Sequence, residues 1–107
     1  MQQALDYMAE AEELADILGN QPEPVFYLET LFKSWTVNDV IGHLYMFDVA
    51  ALETLKSADA FDAFYAPIAK QLRGGKTLLQ CQYPYLGKLT GRALFEQWRI
   101  TSKKLGL

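Results

Sequence analysis

The sequence predicts an all-α protein, and three observations carry that prediction. Apolar residues recur at three- and four-residue steps over several stretches. Helix-capping residues stand just before those stretches. No run of alternating apolar and polar residues marks a strand. With 107 residues there is room for one domain, so a single helical bundle over residues 1–107 is expected. Half of the residues are apolar and 13% are aromatic, enough to bury a core and to exclude a disordered or collagen-like chain.

Residues 2–19 read as an amphipathic helix. Leu5, Met8, Ala11, Ala15 and Leu18 form its stripe, Glu10, Glu12, Glu13 and Asp16 cover the other side, and Gly19-Asn20 ends it. Pro22 and Pro24 then block helix continuation. A second helix is predicted from Thr36 as N-cap, with Asp39 returning a hydrogen bond as in a capping box. Trp35 stands just before the cap and is expected to be largely buried, stapled against Val40. Val37, Val40, Ile41, Leu44, Phe47, Ala51 and Leu55 carry the apolar stripe to about Lys56.

Ser57-Ala58-Asp59 re-caps a third, shorter helix with Phe61, Phe64/Tyr65, Ile68 and Leu72 on its apolar side, stopped by Gly74-Gly75. Residues 74–88, with Gly74, Gly75, Pro84 and Gly87, read as a long loop packed on the body through Leu78, Leu79, Tyr83, Tyr85 and Leu86. Thr90 is expected to cap a last helix whose core face is Leu94, Trp98, Thr101 and Leu105, with Phe95 beside it.

The net charge of −3 hides an asymmetry. Residues 1–63 hold twelve acids and two bases, a net −10; residues 64–107 hold eight bases and one acid, a net +7. A basic arm for nucleic acid is one reading. Side-by-side neutralisation is the other and is preferred, because the basic half is rich in core-type residues and shows no helix-turn-helix pattern. The acidic first helix and the basic last helix are therefore expected to be neighbours. No partner nucleic acid or membrane is expected. No apolar run reaches the ~20 residues that span a bilayer, and the N-terminus lacks the basic and apolar blocks of a signal peptide. Cys81, the single cysteine, forms no internal disulfide. A cytoplasmic location is the expectation.

The sequence offers no catalytic constellation. Arg73-Gly74-Gly75-Lys76-Thr77 lacks the glycine spacing and preceding strand of a phosphate loop, and reads as a helix stop followed by basic residues. His43, the single histidine, lies mid-helix among Asp39, Val40, Met46 and Phe47 at helical steps. Its ordinary reading is a core histidine holding one hydrogen bond. Its functional reading is a metal ligand, which needs at least two further donors.

The stretch from Ser34-Trp35-Thr36 through Asp39 to His43-Leu44, followed by Phe47-Asp48, Ala50-Ala51 and Ala60-Phe61, resembles the DinB-like superfamily, in the branch of mycothiol-dependent maleylpyruvate isomerase N-terminal domains. The resemblance extends more loosely over nearly the whole chain. It implies an up-and-down helical bundle around a divalent metal, zinc or nickel. In that family the metal is held by one histidine of the second helix and two of a final His-x-x-x-His helix. Only His43 matches a ligand position, and the chain stops where the last family helix is expected, so the metal site is expected to be incomplete within one chain.

Two functions follow as expectations. The first is a binding or assembly module, or part of a larger enzyme. The alternative is a metal-dependent transferase or isomerase using a small-molecule thiol of the mycothiol or glutathione type, with Asp39, Asp48, Glu53 or a second copy's His43 completing the ligand set. Apolar stripes that lack a covering helix point to a homodimer, with the second or last helix and His43 near the interface.

Overall fold

The computed structural model describes residues 12–31 and 33–105. The start of the predicted first helix, including Leu5, Met8 and Ala11, lies outside the described residues. Residues 12–18 are helical (α1), followed by a 3₁₀ turn at Glu23–Tyr27. Four further helices follow: α2 (Val37–Lys56), α3 (Ala58–Arg73), α4 (Leu78–Leu86) and α5 (Gly91–Lys104). Among the described residues there is no strand, only an isolated antiparallel bridge between Glu29 and Thr36, and no helix is long and apolar enough to cross a membrane. The architecture is an all-α bundle.

The start of α2 forms as its residues dictate. The Thr36 hydroxyl accepts from the Asp39 amide at 3.0 Å, and the Asp39 carboxylate accepts from the Thr36 amide at 3.0 Å. This reciprocal box satisfies two of the amide donors that a helix start leaves open. Trp35 departs from expectation: it is half-buried, and its ring meets the edge of His43 at 5.8 Å, two turns further on.

The buried face of α2 is also rotated from the predicted stripe. Phe47 and Leu55 are 59% and 76% exposed, whereas Asn38, Asp39 and Asp48 are buried. Each buried polar group has a bonding reason to be inside. Asn38 Oδ1 accepts from the Gly91 amide at 2.6 Å, and Asp48 accepts from the Ser102 hydroxyl at 2.7 Å. A satisfied polar group costs little to bury, so hydropathy alone misplaces the face.

The segment predicted as a loop contains α4. Thr77 and Gln80 form a second capping box, with the Thr77 hydroxyl accepting from the Gln80 amide at 3.2 Å and the Gln80 side chain accepting from the Thr77 amide at 2.9 Å. Gly75 (φ +94°) makes the reversal before it, and the helix accommodates Pro84 near its end. At 16 residues α3 is longer than the 14-residue α5, and Ser57 caps it through the Ala60 amide as expected.

Thr90 is the N-cap residue of α5 but makes no side-chain cap bond. Its place is taken from a distance. Asn38 holds the Gly91 amide, and the Glu23 carboxylate accepts from the Arg92 amide at 3.3 and 3.4 Å. Gly91 has φ +59°, and a Cβ there would overlap the Glu23 carboxylate, so this junction requires glycine. From α5, Leu94, Phe95 and Trp98 enter the core beside Phe26 and Ile41.

The charge halves meet as expected. Arg99 bonds the Glu12 carboxylate with both terminal nitrogens, at 3.2 and 3.4 Å. Arg92 donates to the carbonyls of Leu18, Gly19 and Gln21 at 3.3, 3.2 and 2.6 Å, while its guanidinium lies over the Phe26 and Phe95 rings. Arg92 therefore closes the C-terminal end of α1 and packs as well as pairs.

Candidate functional site

Three helices each turn one face toward a common space. From α2 come His43, Met46, Phe47 and Ala50; from α3 come Phe61, Phe64, Tyr65 and Ile68; from α4 come Leu78 and Gln82. Each set follows helical spacing, so each is a single stripe. Together they line a cavity of about 230 Å³ that opens to the surface, where Phe47, Tyr65 and Leu78 are 59%, 41% and 42% exposed. Among the described residues the lining carries no carboxylate, lysine or arginine. Its polar side chains are His43, Tyr65 and Gln82.

Gln82 reaches this wall because residue 42 is glycine. A Cβ at Gly42 would sit 2.7 Å from Gln82 Nε2 and 2.7 Å from Leu86 Cδ1, so α4 lies against the α2 backbone. Gln82 Nε2 donates to the Asp39 carbonyl at 2.9 Å. Its Oε1 is buried and accepts no hydrogen bond. On the α3 side, Phe61 and Tyr65 stack at 5.6 Å, and Phe64 meets Tyr85 edge-on at 5.4 Å.

The carboxylates proposed from the sequence to join His43 are engaged elsewhere. Asp39 accepts from the Thr36 amide and, through Oδ1, from the Tyr83 hydroxyl at 3.0 Å. Burial, the hydrogen bond and the charge of Asp39, in that order, push the Tyr83 hydroxyl above its ordinary value of 10.0. The Tyr85 hydroxyl is raised as well, mainly by burial, with smaller contributions from Tyr45 and Glu53. Asp48 is fully buried against Ser102, and Glu53 pairs with Lys56 at 3.0 Å. Among the described residues no group of three or more His, Cys, Asp or Glu could hold a metal ion.

Among the described residues, the donor set around His43 therefore does not fit a metal centre of the kind the resemblance implies. Cys81 is 1% exposed on α4 and lines a second cavity with Gln71 and Pro84. The Arg73–Thr77 segment is a helix stop and the cap of the next helix.

Compared with protein-family models, the chain matches the mycothiol maleylpyruvate isomerase N-terminal domain over residues 7–104. The chain belongs to that family. Searches of curated proteins and of solved structures found no match. Membership places the protein in the DinB-like branch and agrees with the all-α bundle. Within this family fold His43 stands on α2 as the resemblance implies, and its surroundings are an apolar wall.

Sequence reasoning did not find Gln82 or the part α4 plays. The signal was present in Thr77-x-x-Gln80, a second capping box that marks a helix start and sets Leu78 and Gln82 on one face.

Proposed function

We propose that this DinB-like domain is a small-molecule binding module whose ligand sits in the cavity between α2, α3 and α4, with His43 on its wall. One observation carries the reading. The family's histidine position opens onto an apolar, surface-connected cavity and has no second or third donor beside it among the described residues. Concave, mostly apolar pockets with a few convergent polar groups are the ordinary form of a ligand site. A metal-dependent thiol transferase would need donors that Asp39, Asp48 and Glu53 do not bring to His43. Small apolar ring compounds should shift the His43 ring resonances saturably in an NMR titration, and the protein should purify without stoichiometric metal. Zinc or nickel at one per chain, lost in His43→Ala, would overturn the binding-module reading in favour of the enzyme.

Pairing of two copies is part of the same proposal. Leu55 and, at the cavity mouth, Phe47 leave apolar side chains exposed on α2, and exposed apolar surface of that kind marks association surfaces. Sedimentation at micromolar concentration should show a dimer of the 12.1 kDa chain. A folded monomer would sink the pairing and leave the cavity reading intact.

A further inference from the structure

We infer that the α2–α3–α4 cavity buries the hydrocarbon end of a single-ring ligand, of the alkylbenzene or alkylphenol kind, and that any polar group on the ligand stays at the mouth. The inference rests on the reading of this cavity as the ligand site and adds the ligand's chemistry and its direction of entry.

Size limits the ligand to one ring. A dry apolar cavity of ~150 Å³ accepts benzene, so about 230 Å³ holds a single ring with small substituents.

Chemistry limits the end that enters. Among the described residues the lining holds no Lys, Arg, Asp or Glu, and its surface is almost wholly carbon. The three polar side chains of the lining do not alter this. Gln82 is 1% exposed, its Nε2 donates to the Asp39 carbonyl, and its Oε1 is shielded from contact. Tyr65 stacks its ring on Phe61, and the His43 and Trp35 rings meet edge-on. A hydroxyl or a charge carried to the inner end therefore loses its water and gains no partner. A methyl group there leaves water at a gain. At the mouth, where Phe47, Tyr65 and Leu78 are exposed, solvent reaches the ligand and a polar group keeps its hydration. A ring with one polar end can thus enter with its other end first, whereas a ring polar at both ends cannot.

The experiment titrates the full chain at neutral pH, with oxygen excluded, against p-xylene, p-cresol and hydroquinone, following the resonances of the single histidine. The three share one outline and differ only in having no, one or two hydroxyl ends. p-Cresol should bind about tenfold more tightly than hydroquinone, and p-xylene at least as tightly as p-cresol. In Ala50→Leu, which narrows the cavity, all three should weaken. Hydroquinone matching p-cresol, or p-cresol exceeding p-xylene tenfold, would reveal a polar partner inside, overturning the inference and leaving the cavity reading standing. Failure of all three to bind, or undiminished binding to a folded Ala50→Leu, would overturn both. The native-chain series decides the matter even if Ala50→Leu does not fold, because it depends on no substitution.

Discussion

The two sides of α2 are built differently. Toward α5 and the 3₁₀ turn, polar groups are answered across the fold: Asn38 and Glu23 hold the first amides of α5, Ser102 answers Asp48, and Arg92 fills three carbonyls at the end of α1. The Trp98 indole N–H is the exception on that side. Toward α3 and α4 the walls are aromatic and aliphatic, a cavity remains open, and Gln82 Oε1 and Gln71 Oε1 go unanswered. A small domain retains only a few kcal/mol of net stability. The contrast sets long-range polar contacts along α2–α5 and open apolar surface on the α2–α3–α4 side.

Substitution at the α5 junction should give the largest effect. Gly91→Ala places a methyl group where the Glu23 carboxylate lies, at a backbone conformation that alanine rarely adopts. The strain alone costs roughly 1–3 kcal/mol, and displacing Glu23 adds to it. A chemical denaturation midpoint equal to that of the native chain would show that the junction is not where stability resides. Thr36→Ala, at the start of α2 two residues before Asn38, should cost about 1 kcal/mol by opening the capping box, and an unchanged midpoint would remove the cap from the account.

The smallest effect lies on the open side and is read with pH. The Tyr83 hydroxyl is raised above 10.0 by burial and by Asp39, so its contribution is fully present below pH 10.0 and is lost as pH rises through the higher folded-state value. The stability gap between the native chain and Tyr83→Phe should therefore narrow above pH 10.0. Tyr83 is 50% exposed, so the gap is small at any pH. A gap that widened with pH would contradict the hydrogen bond to Asp39.

What could be read in advance follows the same division. Thr36, Asp39 and Ser57 announced their helices because capping is local chemistry, written within three residues. Leu94, Trp98 and Thr101 were legible as a core face because α5 keeps a clean period. The inward turn of Asn38, Asp39 and Asp48 was not legible, since their partners Gly91, Tyr83 and Ser102 lie 53, 44 and 54 residues away. Glycine and proline around α4 obscured a helix that Thr77 and Gln80 do mark, and with it went Gln82 and the cavity wall. His43 was identified from residue type and family pattern; its surroundings required three helices to be placed at once.

The Arg92 clamp also bears on the order in which the chain folds. Its carbonyl partners are 71 to 74 residues distant in sequence, whereas α2, α3 and α4 follow one another through short connections. Closing the longer loop carries the greater entropic cost and is rewarded only when α5 docks. The α2–α3–α4 unit is thus the natural early structure, and the docking of α5 against α1 is the late step that locks it. Arg92 fastens together two segments that helix formation alone leaves apart.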